Sequence, residues 1–89
     1  MTDSRTDGLN ELRIRIDRID TRLTELLNER AQVAIEIGQA KRRSGMPVIS
    51  PDRESEVIFR AQGANNGPLS AEAVARIFLA IIGASAALE

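Results

Sequence analysis

Two cationic residues interrupt an apolar pattern in the first half of the chain. Arg30 stands between Leu26 and Val33, where the spacing calls for an apolar residue, and Lys41 follows eleven residues later, about three helical turns on. A charge that faces a core is costly unless it is paired. Two interpretations follow: both side chains grip one small anion, or they extend along the apolar surface toward solvent or a neighbouring helix's glutamates.

Arg13 is a third candidate, at a distance from the other two. It lies seventeen residues before Arg30, which is about 25 Å along a helix and about 100° around it. Within one helix it cannot reach a small ligand held by Arg30. Across an antiparallel dimer it could reach the partner's site, and otherwise it is an ordinary solvated arginine.

Four polar residues later in the chain have both a chemical and a structural interpretation. Arg53 and Glu54 follow Ser50-Pro51 in the first turn of a predicted helix. Arg53 could add positive field, and Glu54 could accept a hydroxyl proton in a hydrogen bond. Alternatively, Glu54 could simply complement the helix dipole. Ser85 and Glu89 share a predicted helical face, where Ser85 could be a core residue bonded to its own helix and Glu89 a solvated end.

The missing residue types narrow the chemistry further. The chain has no Cys, His, Trp or Tyr, which excludes histidine bases, cysteine nucleophiles, and metal sites built on either residue. An enzyme built from the remaining types would hold anions and place charge. The net charge of −1 and the lack of a helix-turn-helix pattern argue against nucleic-acid binding.

The same composition predicts a small domain in the cytoplasm, away from membranes. No apolar run approaches the ~18 residues of a membrane span, and the first residues lack the apolar core of a secretory signal. The absence of cysteine fits a reducing compartment. We predict a disordered tail over residues 1–8 and one domain over 9–89.

Hydrophobic periodicity predicts an all-α fold of one long helix and two shorter ones. Apolar residues recur every three or four positions from Leu9 to Ala40, which predicts a helix over about residues 7–43, roughly 55 Å long. Ser50 and Ser70 are predicted N-caps of the second and third helices, and Gly63 lies near the end of the second. Because the long helix cannot bury its whole stripe against two shorter ones, we expect an intertwined homodimer. A monomeric three-helix bundle is the alternative.

Taken together, these positions resemble the all-α, AroQ-type chorismate mutase family, and in particular the mutase domain of bifunctional chorismate mutase–prephenate dehydratases. The resemblance rests on the spacing of Arg13, Arg30, Lys41 and Arg53-Glu54, followed by Ser85 and residue 89. It also rests on the strings ERAQVAIEIGQAK, PDRE and GPLSAEAVARIF, and it covers the chain from about residue 9 to 89. An excised module, a stand-alone enzyme and an artificial member of the family all fit this pattern.

The resemblance implies a cofactor-free isomerase that converts chorismate to prephenate for phenylalanine and tyrosine synthesis, as an intertwined homodimer. It implies that Arg30 and the partner's Arg13 hold the two carboxylates, and that Lys41 stabilises the ether oxygen. The remaining implied roles are a hydroxyl acceptor at Glu54, a positive field from Arg53, a carboxylate contact from Ser85, and walls formed by Ile37 and Ile82.

Two positions depart from the usual pattern of the family. Residue 89 is glutamate, where many members have glutamine as a second donor to the ether oxygen. A carboxylate donates only when protonated, so we expect activity to rise as the pH falls. Ser50 stands where an aspartate often contacts the ligand, which leaves its backbone N–H as the expected contact.

Two other functions fit parts of the pattern. An isochorismate-pyruvate lyase would share the fold and most of the cationic clamp. A catalytically silent helical module for dimerisation or regulation would need the apolar stripe but neither Arg30 nor Lys41, so substitution of these two residues separates it from an enzyme.

Overall fold

The computed structural model describes residues 4–89, with side chains from residue 8 onward, and it consists of three α-helices. Helix α1 spans Ser4–Ser44, helix α2 spans Pro51–Ala64, and helix α3 spans Ala71–Ala86. No strand occurs within residues 4–89. The predicted all-α class, with one long helix and two shorter ones, is confirmed.

Helix α1 begins earlier than its periodicity predicted. Its 41 residues start at Ser4 instead of near residue 7. Of the tail predicted over 1–8, residues 1–3 lie outside the described residues, and residues 4–8 belong to α1. The apolar stripe begins only at Leu9, so periodicity has no signal for the polar turn before it. Gly8 does not stop the helix, because an interior glycine costs only about 1 kcal/mol.

Local signals set the other helix ends. The Ser50 hydroxyl accepts a hydrogen bond from the Arg53 N–H at 3.3 Å, and the Ser70 hydroxyl accepts from the Ala73 N–H at 3.0 Å. Both serines are therefore the N-caps that the sequence predicted. Helix α1 ends at Ser44, and the next residue is Gly45, whose φ of 70° is a left-handed conformation that glycine adopts without a Cβ penalty.

The three helices bury little apolar surface as a single chain. Helix α3 packs against both α1 and α2. Ala34 on α1 and Val74 on α3 are the buried apolar side chains in the described part of the protein. The radius of gyration is 17.9 Å, whereas a compact chain of this length has about 12 Å. The shape is therefore a rod, 66 Å long and 24 by 16 Å across.

The apolar stripe of α1 is exposed along most of its length. Leu12 is 54% exposed, Leu23 50% and Leu26 58%. The other large apolar side chains of α1 that are exposed in the single chain are Leu9, Ile14, Ile16, Ile19, Leu27, Val33 and Ile37. None of the described helices is long and apolar enough to cross a membrane.

Candidate active site

One cavity of about 680 Å³ lies where the second half of α1, the loop over residues 45–50, the first turns of α2 and the end of α3 meet. Nine of the ten candidate site residues line it: Arg30, Ile37, Lys41, Ser50, Arg53, Glu54, Ile82, Ser85 and Glu89. These residues come from all three helices and the first loop, and three of them are cationic. The cavity therefore combines apolar walls with a small set of charged groups, as ligand sites commonly do.

Arg30 is fixed by a residue far away in the sequence. Its Nη1 donates a hydrogen bond to the Ser85 hydroxyl at 2.9 Å, in a part-buried environment. Ser85 itself is only 7% exposed. Because the hydroxyl oxygen accepts from Arg30, the hydroxyl proton remains free to donate to a ligand oxygen. The guanidinium likewise keeps further N–H donors for a carboxylate.

Lys41 is anchored by the loop that follows α1. Its Nζ donates to the Val48 carbonyl oxygen at 2.9 Å, and both residues are half-buried. An ammonium group has three donors, so this bond leaves two for a ligand. The loop thus orients the ammonium group without neutralising its charge.

The N-terminus of α2 contributes a capping serine, a cation and a carboxylate. Ser50 and Glu54 are half-buried, whereas Arg53 is exposed. The Arg53 guanidinium makes a solvent-exposed ion pair with Glu56 at 3.0 Å. Such an exposed pair is weak, so a ligand anion in the cavity can compete for Arg53.

Glu89 lies in the turn that follows α3, so the predicted shared helical face needs a correction. Helix α3 ends at Ala86, and the chain continues through tighter turns in which the Leu88 and Glu89 N–H groups donate to the Ser85 and Ala86 carbonyls. These tighter bonds satisfy two of the last carbonyls at the end of the helix. Glu89 is nevertheless half-buried and lines the cavity.

Arg13 is the candidate that the single chain does not bring to the cavity. It lies on the exposed first half of α1, about 25 Å along the axis from Arg30 by helix geometry. Nothing within one chain carries it to the other nine residues.

Three contacts around the cavity involve residues that sequence reasoning did not single out as functional. They are the Val48 carbonyl described above, Gly38 and Arg42. Gly38 is buried where the chain end after α3 meets α1, and Arg42 donates a hydrogen bond to the main-chain oxygen of Glu89. A glycine inside a long helical pattern was the available signal for Gly38. Arg42 had no such signal, because a cation in a last helical turn is ordinary.

The charged groups of the cavity suit an organic anion. Among the described residues, no cluster of three or more acidic side chains is placed to hold a metal ion. The cations Arg30 and Lys41 have free donors, and the apolar side chains of Ile37 and Ile82 line the same cavity.

Known proteins resemble this chain in both sequence and structure. The family model described as chorismate mutase type II matches residues 12–89, which include all ten candidate residues. The chain belongs to this family. A chorismate mutase structure from Thermus thermophilus superposes with a TM-score of 0.89 at 32% identity, covering 91% of this chain and 92% of that one.

Curated relatives of the family are longer proteins. The bifunctional chorismate mutase/prephenate dehydratase of Aquifex aeolicus is 40% identical over 87 residues, which are 93% of this chain and 24% of the relative. The enzyme of the same description from Neisseria gonorrhoeae is 45% identical over 74 residues, 83% of this chain and 20% of that one. The chain thus spans about a quarter or less of these relatives.

Proposed function

We propose that this chain is a chorismate mutase, which isomerises chorismate to prephenate in the biosynthesis of aromatic amino acids. The observation that carries the proposal is the assembly of Arg30, Lys41, Ser85 and Glu54 around one cavity in a chain of the chorismate mutase type II family. A silent dimerisation module would have no need for two cations whose remaining donors are open to a ligand.

The substrate is a dianion that must fold into a compact diaxial conformer. Arg30 and Ser85 would bind one carboxylate together, since the hydrogen bond between them leaves donors on both. Holding both carboxylates selects the conformer in which the two reacting carbons lie near each other. The apolar side chains of Ile37 and Ile82 would exclude water from that conformer.

The reaction is an intramolecular rearrangement, in which the ether C–O bond breaks as a new C–C bond forms. No proton is gained or lost, so the cavity needs no general base. Negative charge builds on the ether oxygen in the transition state, and the Lys41 ammonium would stabilise it there. A protonated Glu89 would donate a second hydrogen bond to the same oxygen. This clamp is strongest in the transition state, which is the condition for catalysis.

The α2 end of the cavity would hold the ring hydroxyl. Glu54 is the half-buried carboxylate there and would accept the hydroxyl proton in a hydrogen bond. Arg53 would strengthen the positive field, and the backbone N–H of Ser50 would be a further donor. We expect no cofactor or metal to take part.

The functional unit we propose is an intertwined homodimer. The accessible surface of the single chain is 7218 Å², whereas a compact monomer of this mass exposes about 5,100 Å². The excess matches the area that one chain loses in an obligate interface, and the exposed stripe of α1 supplies apolar surface for it. In such a dimer, Arg13 of the partner would bind the second carboxylate.

The deciding experiment follows the loss of chorismate ultraviolet absorbance with the purified chain, beside a parallel assay with isochorismate. Conversion of chorismate to prephenate that Arg30→Ala abolishes would support the mutase. Pyruvate release from isochorismate, without prephenate from chorismate, would assign the lyase activity instead. A folded chain that converts neither substrate would leave the silent module.

A further inference from the structure

We propose that Gly38 and Arg42 are positioning residues that hold Glu89 in the cavity, an inference that rests on the proposed mutase function. Neither of them lines the cavity, so neither is a catalytic residue. Both residues contact the main chain of Glu89 from α1. These contacts direct the side chain of Glu89 into the cavity.

The first contact is the close approach of Gly38 to residue 89. A Cβ at Gly38 would lie 3.2 Å from the Cα, the Cβ and the main-chain oxygen of Glu89. Carbon atoms in ordinary contact are about 3.5–4.0 Å apart, so any larger residue would push the Glu89 main chain outward by a few tenths of an ångström. Gly38 is buried, one helical turn after the buried Ala34, on the side of α1 that faces the end of α3.

The second contact is the hydrogen bond from the Arg42 Nη1 to the main-chain oxygen of Glu89. Arg42 lies one helical turn after Gly38, so both residues present the same face of α1 to Glu89. Glu89 lies beyond the last residue of α3, where helical bonds no longer fix the backbone. Its own N–H is bonded to the Ala86 carbonyl at 3.2 Å, and Arg42 fixes the opposite side of the residue.

These contacts matter because of what Glu89 does in the proposed mechanism. A donor to the ether oxygen must lie within hydrogen-bond distance of the transition state, and small displacements of such groups are costly. An interaction made only in the transition state lowers kcat when it is lost and leaves KM nearly unchanged. Gly38 and Arg42 should therefore affect kcat through Glu89.

The test is a double-mutant cycle with kcat and KM for chorismate as readouts. We expect Gly38→Ala to lower kcat about tenfold with little change in KM. In a Glu89→Ala background the same substitution should cost no further activity, because its effect acts through residue 89. A structural role unrelated to Glu89 would lower activity equally in both backgrounds and would overturn the inference.

Matched controls separate positioning from loss of fold. Gly83→Ala adds the same methyl group to α3, where nothing lies within 4 Å, and should leave kcat unchanged. If Gly38→Ala does not fold, Arg42→Ala provides the same cycle without adding volume, and Arg43→Ala removes a charge from the same helical turn as its control. We expect a loss in kcat for Arg42→Ala that disappears in the Glu89→Ala background, and no loss for Arg43→Ala.

The outcomes distinguish this inference from the proposed function. If Arg30→Ala abolishes conversion but Glu89→Ala has full activity, the mutase stands and the inference falls. If the unsubstituted chain converts no chorismate, the proposed function is wrong, and the inference that rests on it falls with it.

Discussion

The guanidinium of Arg30 on α1 donates to the hydroxyl of Ser85 on α3 across 2.9 Å, although the two residues are 55 positions apart. This bond joins a half-buried cation of the long helix to a buried hydroxyl of the last one. A hydrogen bond to a charged group contributes about 1.5–3 kcal/mol, more than an average hydrogen bond. It therefore links helix packing directly to the geometry of the cavity.

Removing this hydroxyl should weaken both stability and activity. We expect Ser85→Ala to lower the free energy of unfolding by about 1–2 kcal/mol, because Arg30 loses its partner. We expect kcat/KM for chorismate to fall about tenfold, since about 1 kcal/mol or more of ligand binding is lost as well. Urea unfolding and steady-state kinetics measure the two effects. Ser44→Ala removes an exposed hydroxyl that bonds only to the Ala40 carbonyl of its own helix, and it should change neither.

The Lys41 ammonium should contribute mainly to the transition state. We expect Lys41→Ala to lower kcat about 100- to 1,000-fold, the usual effect of removing one preorganised donor to a developing oxyanion. Thermal unfolding should change little, because the lost bond joins Lys41 to the loop that follows α1 and does not join two helices. Arg43→Ala is the control for charge alone. An activity loss of similar size in Arg43→Ala would show that Lys41 acts through general charge and not through its position.

Activity should rise as the pH falls below neutral. Only the protonated form of a carboxyl group donates a hydrogen bond, so the proposed role of Glu89 as a donor requires that form. We expect kcat, scanned from about pH 4 to 8, to climb toward acid in the unsubstituted chain. Glu89→Gln donates at every pH and should give a flatter profile.

Other charged groups also line the cavity, and their effects on the pH profile must be distinguished from that of Glu89. Arg30 and Lys41 line the cavity from α1, and Arg53 and Glu54 line it from α2. Glu54 is the other carboxylate of the cavity, so a rise toward acid that persists in Glu89→Gln would not come from residue 89. A flat profile in the unsubstituted chain would remove Glu89 from the mechanism.

Mixed dimers test whether Arg13 completes the partner's site. Arg13→Ala and Arg30→Ala homodimers should each be inactive. When the two are refolded together, a heterodimer keeps one site with both arginines intact, so about a quarter of the normal activity should return. Mixing would restore nothing if Arg13 acted within its own chain. Sedimentation of the unsubstituted chain provides the accompanying check, and a monomer at assay concentration would contradict the proposed dimer.

The two capping serines separate stability from ligand binding. Ser50 and Ser70 each cap a helix, but of these two serines only Ser50 lines the cavity. We expect Ser50→Ala and Ser70→Ala each to lower the free energy of unfolding by about 1 kcal/mol. KM for chorismate should rise in Ser50→Ala alone, because fraying of the first turn of α2 displaces its backbone N–H groups. Equal KM values for the two variants would leave Ser50 as a cap and nothing more.

Local signals along the chain were enough to predict the helices and many of the residues that line the cavity. The apolar spacing predicted α1, the serines predicted where α2 and α3 begin, and the charges at Arg30 and Lys41 interrupted an otherwise apolar face. These signals depend on helical periodicity and on side chains that bond to their own helix. The position of Ser4 as the first helical residue was missed, since a polar turn has no periodicity to detect.

The contacts that these residues make depend on how separate segments of the chain pack together. The pairing of Arg30 with Ser85, the anchoring of Lys41 on the Val48 carbonyl, and the close approach of Gly38 to Glu89 all join different parts of the chain. No propensity or spacing within one helix encodes such contacts. They depend on how closely α3 and the loop pack against α1, and that distance is set by small residues such as Ala34 and Gly38 at the contact.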